Sequence, residues 1–118
     1  MEPELQFFVA EKNSIVVVSI SGTLSRSGEA VLDKCREEVV NRHPKHVILY
    51  FKDLGNRADL SAFPALARLQ KAIRDLPASL RLCGLHPELR KFLEQKGLLR
   101  LSELSPGLPE ALKALSDL

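Results

Sequence analysis

From His46 to Phe51 the chain reads His-Val-Ile-Leu-Tyr-Phe, an apolar run with no polar residue alternating through it. A strand with one wet face alternates in polarity at every residue, so a continuous run of this kind belongs to a strand covered on both faces. The constraint is severe: whatever this chain folds into must place layers above and below a central strand. Pro44 stands just before the run, and a polar stretch from Lys52 to Asp59 follows it.

The rest of the chain supplies those layers in an alternating order. Leu5 to Ala10 and Ile15 to Ser21 are β-rich runs separated by Glu11-Lys12-Asn13-Ser14, which predicts a hairpin. After Gly22 and a polar loop, Val31, Leu32, Cys35, Val39 and Val40 recur at helical spacing, with charged residues between them. This predicts an amphipathic helix from about Gly28 to Arg42. Beyond the central strand, Phe63, Leu66, Leu69, Ala72, Ile73 and Leu76 form one stripe of a helix over Ala62 to Leu76, stopped by Pro77. Ser79 to Cys83 is a short strand. Pro87 opens a third helix whose inner face is Leu89, Phe92 and Leu93, and Gly97 closes it. Leu98 to Leu101 is expected as a last edge strand. Leu108, Ala111, Leu112, Leu115 and Leu118 then repeat at intervals of three or four in a closing helix.

This order predicts an α/β fold, a mixed and mainly parallel sheet of about five strands with four helices, built as one domain over residues 1–118. The loops after Ser21, Phe51 and Cys83 are expected at one shared edge, the carboxyl ends of the strands, where open α/β sheets bind their partners. Ser25, Ser61 and His86 become neighbours there. Ser61 stands where loop turns into helix, and its hydroxyl suits either a cap, in which Asp59 is its rival, or a phosphorylation site.

Composition removes several classes of function. The net charge of +2 comes from interspersed signs, and five Phe, one Tyr and no Trp leave little for bases to stack on, so nucleic-acid binding is disfavoured. No apolar run approaches the roughly 20 residues that cross a bilayer, and Met1-Glu2-Pro3-Glu4 is acidic where a secretory leader is basic. The expectation is a cytoplasmic protein without membrane insertion. Cys35 and Cys83 occupy apolar positions far apart in the chain, which points to reduced core thiols. There is no glycine-rich phosphate loop, no nucleophile elbow and no ligand spacing among His43, His46 and His86, so neither catalysis, metal nor cofactor is expected. Arg68, Lys71 and Arg74 follow at intervals of three off the apolar stripe of the second helix. They form a basic ridge, either a solvated face or a surface for an acidic partner.

Several segments together resemble STAS domains, the fold of bacterial anti-sigma factor antagonists. Val16-Val17-Val18-Ser19-Ile20-Ser21-Gly22-Thr23-Leu24 is similar to the family's second strand and its Gly-x-Leu end. Val47 to Leu54 is similar to its central strand ending in Asp-Leu. Leu82 to Leu89, Phe92-Leu93 and Gly97-Leu98 follow its strand, its proline-initiated helix and its closing Gly-Leu. The family's loop after the central strand carries Asp-Ser-Ser-Gly or a variant, with the second hydroxyl as phosphate acceptor. Counting back from Cys83 without gaps matches this to Asp59-Leu60-Ser61-Ala62, whereas counting from Asp53-Leu54 places Leu60 at the acceptor.

The resemblance implies a non-enzymatic regulator that binds an anti-sigma factor kinase and is switched by phosphorylation of Ser61. Ser25, Asp59, Leu60, Ala62, Arg68 and Lys71 are then the partner-binding residues. It departs from the family in Ala62 for the usual Gly, Leu60 for a Ser, Pro64 in the first helical turn and Ser25 where many antagonists carry an Asp. A STAS subunit of a lipid ABC transporter, gripping its ATPase without a phosphorylation cycle, is the alternative. A small-ligand or nucleotide binder is a third reading, poorly served by a chain without a phosphate cradle.

Overall fold

The computed structural model describes residues 4–52, 54 and 61–116. Strands β1 (Gln6–Lys12), β2 (Ile15–Ser21), β3 (His46–Tyr50), β4 (Ser79–Cys83) and β5 (Leu104–Ser105) form one sheet in sequence order. β1 pairs antiparallel with β2, and the remaining pairs are parallel. Four α-helices are present among the described residues: α1 (Glu29–Asn41), α2 (Phe63–Arg74), α3 (Pro87–Gln95) and α4 (Leu108–Ser116).

β3 is central and covered on both faces. On one face Val47, Leu49 and Phe51 join Val16, Val18, Ile20, Leu80 and Leu82 under α1, α2 and α3, whose Leu32, Cys35, Leu66, Leu69, Ile73 and Leu93 complete the main core. On the other, Ile48 meets Ile15, Cys83 and the α4 residues Ala111 and Leu115. Helix α4 lies over β3, β4 and β5, leaving the β1 end of that face without a helix among the described residues. The hairpin is tighter than the sequence suggests. Pairing runs to Lys12↔Ile15, so the turn is Asn13-Ser14 alone, and both residues take positive φ (53° and 68°) as a two-residue turn between twisted strands demands.

The last strand differs from expectation. Leu98 and Leu99 pack against the core without forming a strand, Leu101–Glu103 is a single 3₁₀ turn, and the edge strand is Leu104–Ser105 beside Leu82 and Cys83. Side chains distant in sequence explain the shift. The Leu98 carbonyl accepts from Gln70 Nε2 (2.9 Å) and Arg74 Nη2 (3.1 Å), so it already has two donors outside any ladder. Arg74 then reaches Glu103 through Nη2 (2.6 Å) and Nε (3.1 Å), drawing the 3₁₀ turn inward. Gln70 is fully buried, and the Arg74 and Glu103 side chains are only 16% and 12% exposed. Arg74 therefore leaves the expected ridge and becomes a tie between α2 and the segment leading to β5.

Cys35 and Cys83 are both fully buried and unbridged. Burial, with Glu38 adding for Cys35 and Glu110 for Cys83, pushes the thiols up to about 12 and about 11.

Two outcomes follow. At pH 8 the thiolate fractions are on the order of 10⁻⁴ for Cys35 and 10⁻³ for Cys83. A thiol reagent should therefore label the folded protein slowly and both cysteines rapidly in urea; equal rates in the two conditions contradict the burial. Glu103→Ala strands the Arg74 guanidinium, so urea titration should show a loss of about 3 kcal/mol, most of it recovered when Arg74→Met is added.

Candidate functional site

Three chain segments leave the sheet at the carboxyl ends of β2, β3 and β4, and backbone contacts bind them together. Gly22 bridges to Leu54 in parallel, extending the β2–β3 ladder past the strands. Gly22 has φ +95° and its Cα lies so close to the Glu4 carbonyl that a Cβ would sit 2.1 Å from that oxygen, so no other residue fits. The Ala62 N–H then donates to the Leu24 carbonyl at 3.1 Å, placing the residues next to Ser61 and Ser25 side by side. His86 Nε2 lies 2.7 Å from the Leu54 carbonyl. A carbonyl only accepts, so Nε2 carries the proton and the third segment is tied to the second.

Ser61 lies at this edge and is exposed. It is not the helix cap. That position belongs to Ala62, whose φ and ψ are −84° and 8° and whose carbonyl accepts from Ala65 (3.0 Å) and Leu66 (3.2 Å). Pro64 occupies the first turn, where a missing N–H costs no helical hydrogen bond. Ala62 is fully buried, so it holds the loop against β2 and offers no side-chain surface, contrary to its expected place among partner-contacting residues. Ser25 is half-buried, its hydroxyl 3.1 Å from that of Ser27 and its carbonyl accepting from the Gly28 N–H at 2.8 Å. Asp59 and Leu60, with Asp53, lie outside the described residues.

The basic ridge is largely paired. Arg68 clamps Asp33 of α1 with Nε on Oδ1 and Nη2 on Oδ2, both at 3.1 Å, and Arg36 adds a contact to Oδ1 at 3.6 Å. The Arg68 hydrogen bond, with the charges of Arg68 and Arg36, holds the Asp33 carboxyl below the usual carboxylate range against an opposing desolvation. Lys71 pairs with Asp75 at 3.0 Å, both well exposed. With Arg74 committed to Glu103, the side chains left for exchange with a partner are Arg68 and Lys71.

A surface cluster lies on the same helix start. The Phe63 and Phe92 rings pack edge to face with centroids 5.6 Å apart, and Lys96 Nζ stands 5.1 Å and 5.6 Å from the two centroids. Both rings are half-buried and Lys96 is exposed, giving an apolar and cationic patch beside Ser61. The periodicity expected both phenylalanines on inner faces; Phe92 carries a contrary signal in Lys91 beside it and Lys96 one turn on, and Phe63 carries none locally. An open groove of about 460 Å³ lined by Arg36, Glu37, Val40, Asn41 and Ala72 lies instead along the later turns of α1 and α2, away from this edge. No cluster of potential metal ligands occurs among the described residues, and no helix there is long and apolar enough to cross a membrane.

Comparison with known proteins gives a consistent picture. The family model for the STAS domain matches residues 6–111. A solved anti-sigma factor antagonist from Mycobacterium paratuberculosis superposes with a TM-score of 0.77 at 21% identity, covering 97% of this chain and 96% of that one. A sulfate transporter family protein from Wolinella succinogenes gives 0.75 at 20%, covering 92% and 93%. The phosphorylated form of the Bacillus cell fate determinant SpoIIAA gives 0.70 at 16%, covering 92% and 98%. No curated protein matches in sequence.

The Asp33–Arg68 clamp joins the exposed sides of α1 and α2, and a double-mutant cycle with Asp33→Asn and Arg68→Gln at pH 7 should give a small favourable coupling that salt weakens. The Asp33 carboxyl is depressed in the folded state, so the coupling is present above the ordinary carboxylate range and disappears as pH falls through the depressed value. A coupling that survives strong acid assigns it to packing instead.

Proposed function

We propose that this chain, which belongs to the STAS domain family, is a non-enzymatic regulator that binds an anti-sigma factor kinase through the carboxyl-end edge and the start of α2. The observation that carries the reading is the position of Ser61. It is an exposed hydroxyl immediately before a buried cap residue, at the N-terminus of a twelve-residue helix, beside the Phe63, Phe92 and Lys96 patch. Similarity to a phosphorylated SpoIIAA and to an anti-sigma factor antagonist supports the same assignment.

The chemistry of such a switch follows from the site. Phosphorylation of Ser61 adds roughly −1.5 to −2 charges next to a helix N-terminus, which carries a partial positive charge and tolerates the anion. The domain keeps its fold. A partner surface shaped to cover a neutral hydroxyl and the aromatic patch meets a hydrated dianion, and docking is lost. Arg68 and Lys71, two and three turns further along α2, extend the contact to acidic groups of the partner by exchanging their present carboxylates. Ser25 adds a hydroxyl from the adjoining loop, and Asp59 and Leu60 complete the loop ahead of Ser61. The protein then works in the cytoplasm, without cofactor or metal.

A second reading is favoured by the acceptor loop's departures from the family pattern, Ala62 for Gly, Leu60 for a Ser and Pro64 in the first helical turn. Here the same edge grips the ATPase of a lipid ABC transporter, with no phosphorylation cycle.

Incubation with the cognate kinase and ATP should add one phosphate to wild type and none to Ser61→Ala. Ser61→Ala should bind the kinase like wild type, and Ser61→Asp should weaken binding at least about tenfold, a loss of about 1.4 kcal/mol. Unchanged melting temperatures in both variants separate a switch from a folding defect. A protein that is never modified, and whose Ser61→Asp variant binds normally, fails this reading and leaves the transporter one.

A further inference from the structure

The geometry points to a symmetric homodimer in which the β1 strands of two copies pair antiparallel about a two-fold axis through Phe8, joining two sheets into one. β1 is an edge strand whose outer backbone groups face no other strand among the described residues, and its pairing with β2 runs unbroken from Gln6↔Ser21 to Lys12↔Ile15. The devices that ordinarily blunt such an edge are missing: there is no proline in it and no bulge, and its charges stand only toward its end, at Glu11 and Lys12. In the middle lies Phe8, 70% exposed, on the sheet face that α4 leaves uncovered.

Symmetry limits the register. A two-fold axis perpendicular to the sheet keeps each face on its own side, so a residue pairs only with one of the same parity, and some residue must face its own copy. With Val9 on the axis, Phe7 falls opposite Glu11; with Ala10 there, Phe8 falls opposite Lys12. With Phe8 on the axis, Phe8 meets Phe8 of the second copy, Phe7 meets Val9, and Gln6 meets Ala10. Glu4, whose carbonyl packs against Gly22 just before the strand, then falls opposite Lys12. Of the three, this register alone sets Phe7, Phe8 and Val9 wholly against apolar residues and opposite charges against each other, twice by symmetry; its one apolar-to-charge opposition, Leu5 with Glu11, falls before the strand begins, where Leu5 is buried in its own core. The strip of Phe8 and Ala10, which lies beside Val17 through the Ala10↔Val17 pair, becomes continuous across the junction. The occupant is therefore a second copy of this chain, because the complement of the edge is the edge itself. The axis reverses strand direction, so the two carboxyl-end edges point opposite ways and each remains open to its own partner.

Sedimentation equilibrium of the full chain should show a concentration-dependent dimer. Phe8→Lys should raise its dissociation constant at least about tenfold while leaving the melting temperature unchanged at concentrations where both proteins are monomeric. Glu4→Lys and Lys12→Glu should each weaken association, and the two together should restore it. Gln6→Cys with Ala10→Cys should give a disulfide-linked dimer on oxidation. Four residues of extended strand, about 13 Å, prevent the two cysteines from bridging within one chain, and the buried Cys35 and Cys83 do not compete. A monomer at all concentrations, or a dimer indifferent to Phe8→Lys and to the charge swap, overturns the proposal; in the first case the edge is left for a foreign strand, in the second the interface lies elsewhere.

Discussion

Strand β3 has no face it can show to water, and the rest of the architecture follows from covering it. Val47, Leu49 and Phe51 require helices on one side; Ile48, with Ile15 and Cys83 beside it, requires α4 on the other. Helices on both sides of a sheet are reached by crossover connections, and these make the neighbouring strands parallel. Parallel strands end together. The burial of one apolar run thus determines that the segments after β2, β3 and β4 emerge at a single edge, and the Gly22–Leu54, Ala62–Leu24 and His86–Leu54 contacts turn that coincidence into a fixed surface.

The elements legible in the sequence are those whose signal is local. β2 and β4 appear with the expected bounds, and α1, α2 and α3 within two residues of theirs, because strand and helix periodicities and the positions of Pro77, Pro87 and Gly97 act within a few residues. The edge strand was misplaced because its position is decided by Gln70 and Arg74, side chains more than twenty residues away that occupy the Leu98 carbonyl and draw Glu103 inward. Periodicity registers Leu98 to Leu101 as apolar and carries no information about those donors. The basic ridge shows the same limit. Its charges can be read from the sequence, but Asp33 lies 35 residues from Arg68, and only the packing of α1 on α2 brings them together.

The placement of Ser61 at the carboxyl edge was legible for a different reason. A strand that ends in a polar loop and re-enters a helix must place its junction residue at the carboxyl edge, so Ser61 could be located without knowledge of its contacts. Its detailed role could not. Whether Ser61 or Ala62 takes the cap depends on which N–H satisfies the Leu24 carbonyl, a contact between segments nearly forty residues apart. The Phe63, Phe92 and Lys96 patch likewise needs the side-by-side placement of α2 and α3.

This division of labour bears on how such a domain can be regulated. The groups that hold the edge together are backbone, buried or half-buried: Gly22, Leu24, Ala62, the Leu54 carbonyl and the His86 ring upon it. The groups available to a partner or a modifying enzyme, Ser61, Lys71 and Lys96, are exposed and contribute little to the core. Exposed charge changes alter stability by only about 0.5 kcal/mol. The proposed phosphate at Ser61 would therefore change what the surface binds by far more than it changed whether the domain is folded, and a switch on a marginally stable domain requires that separation.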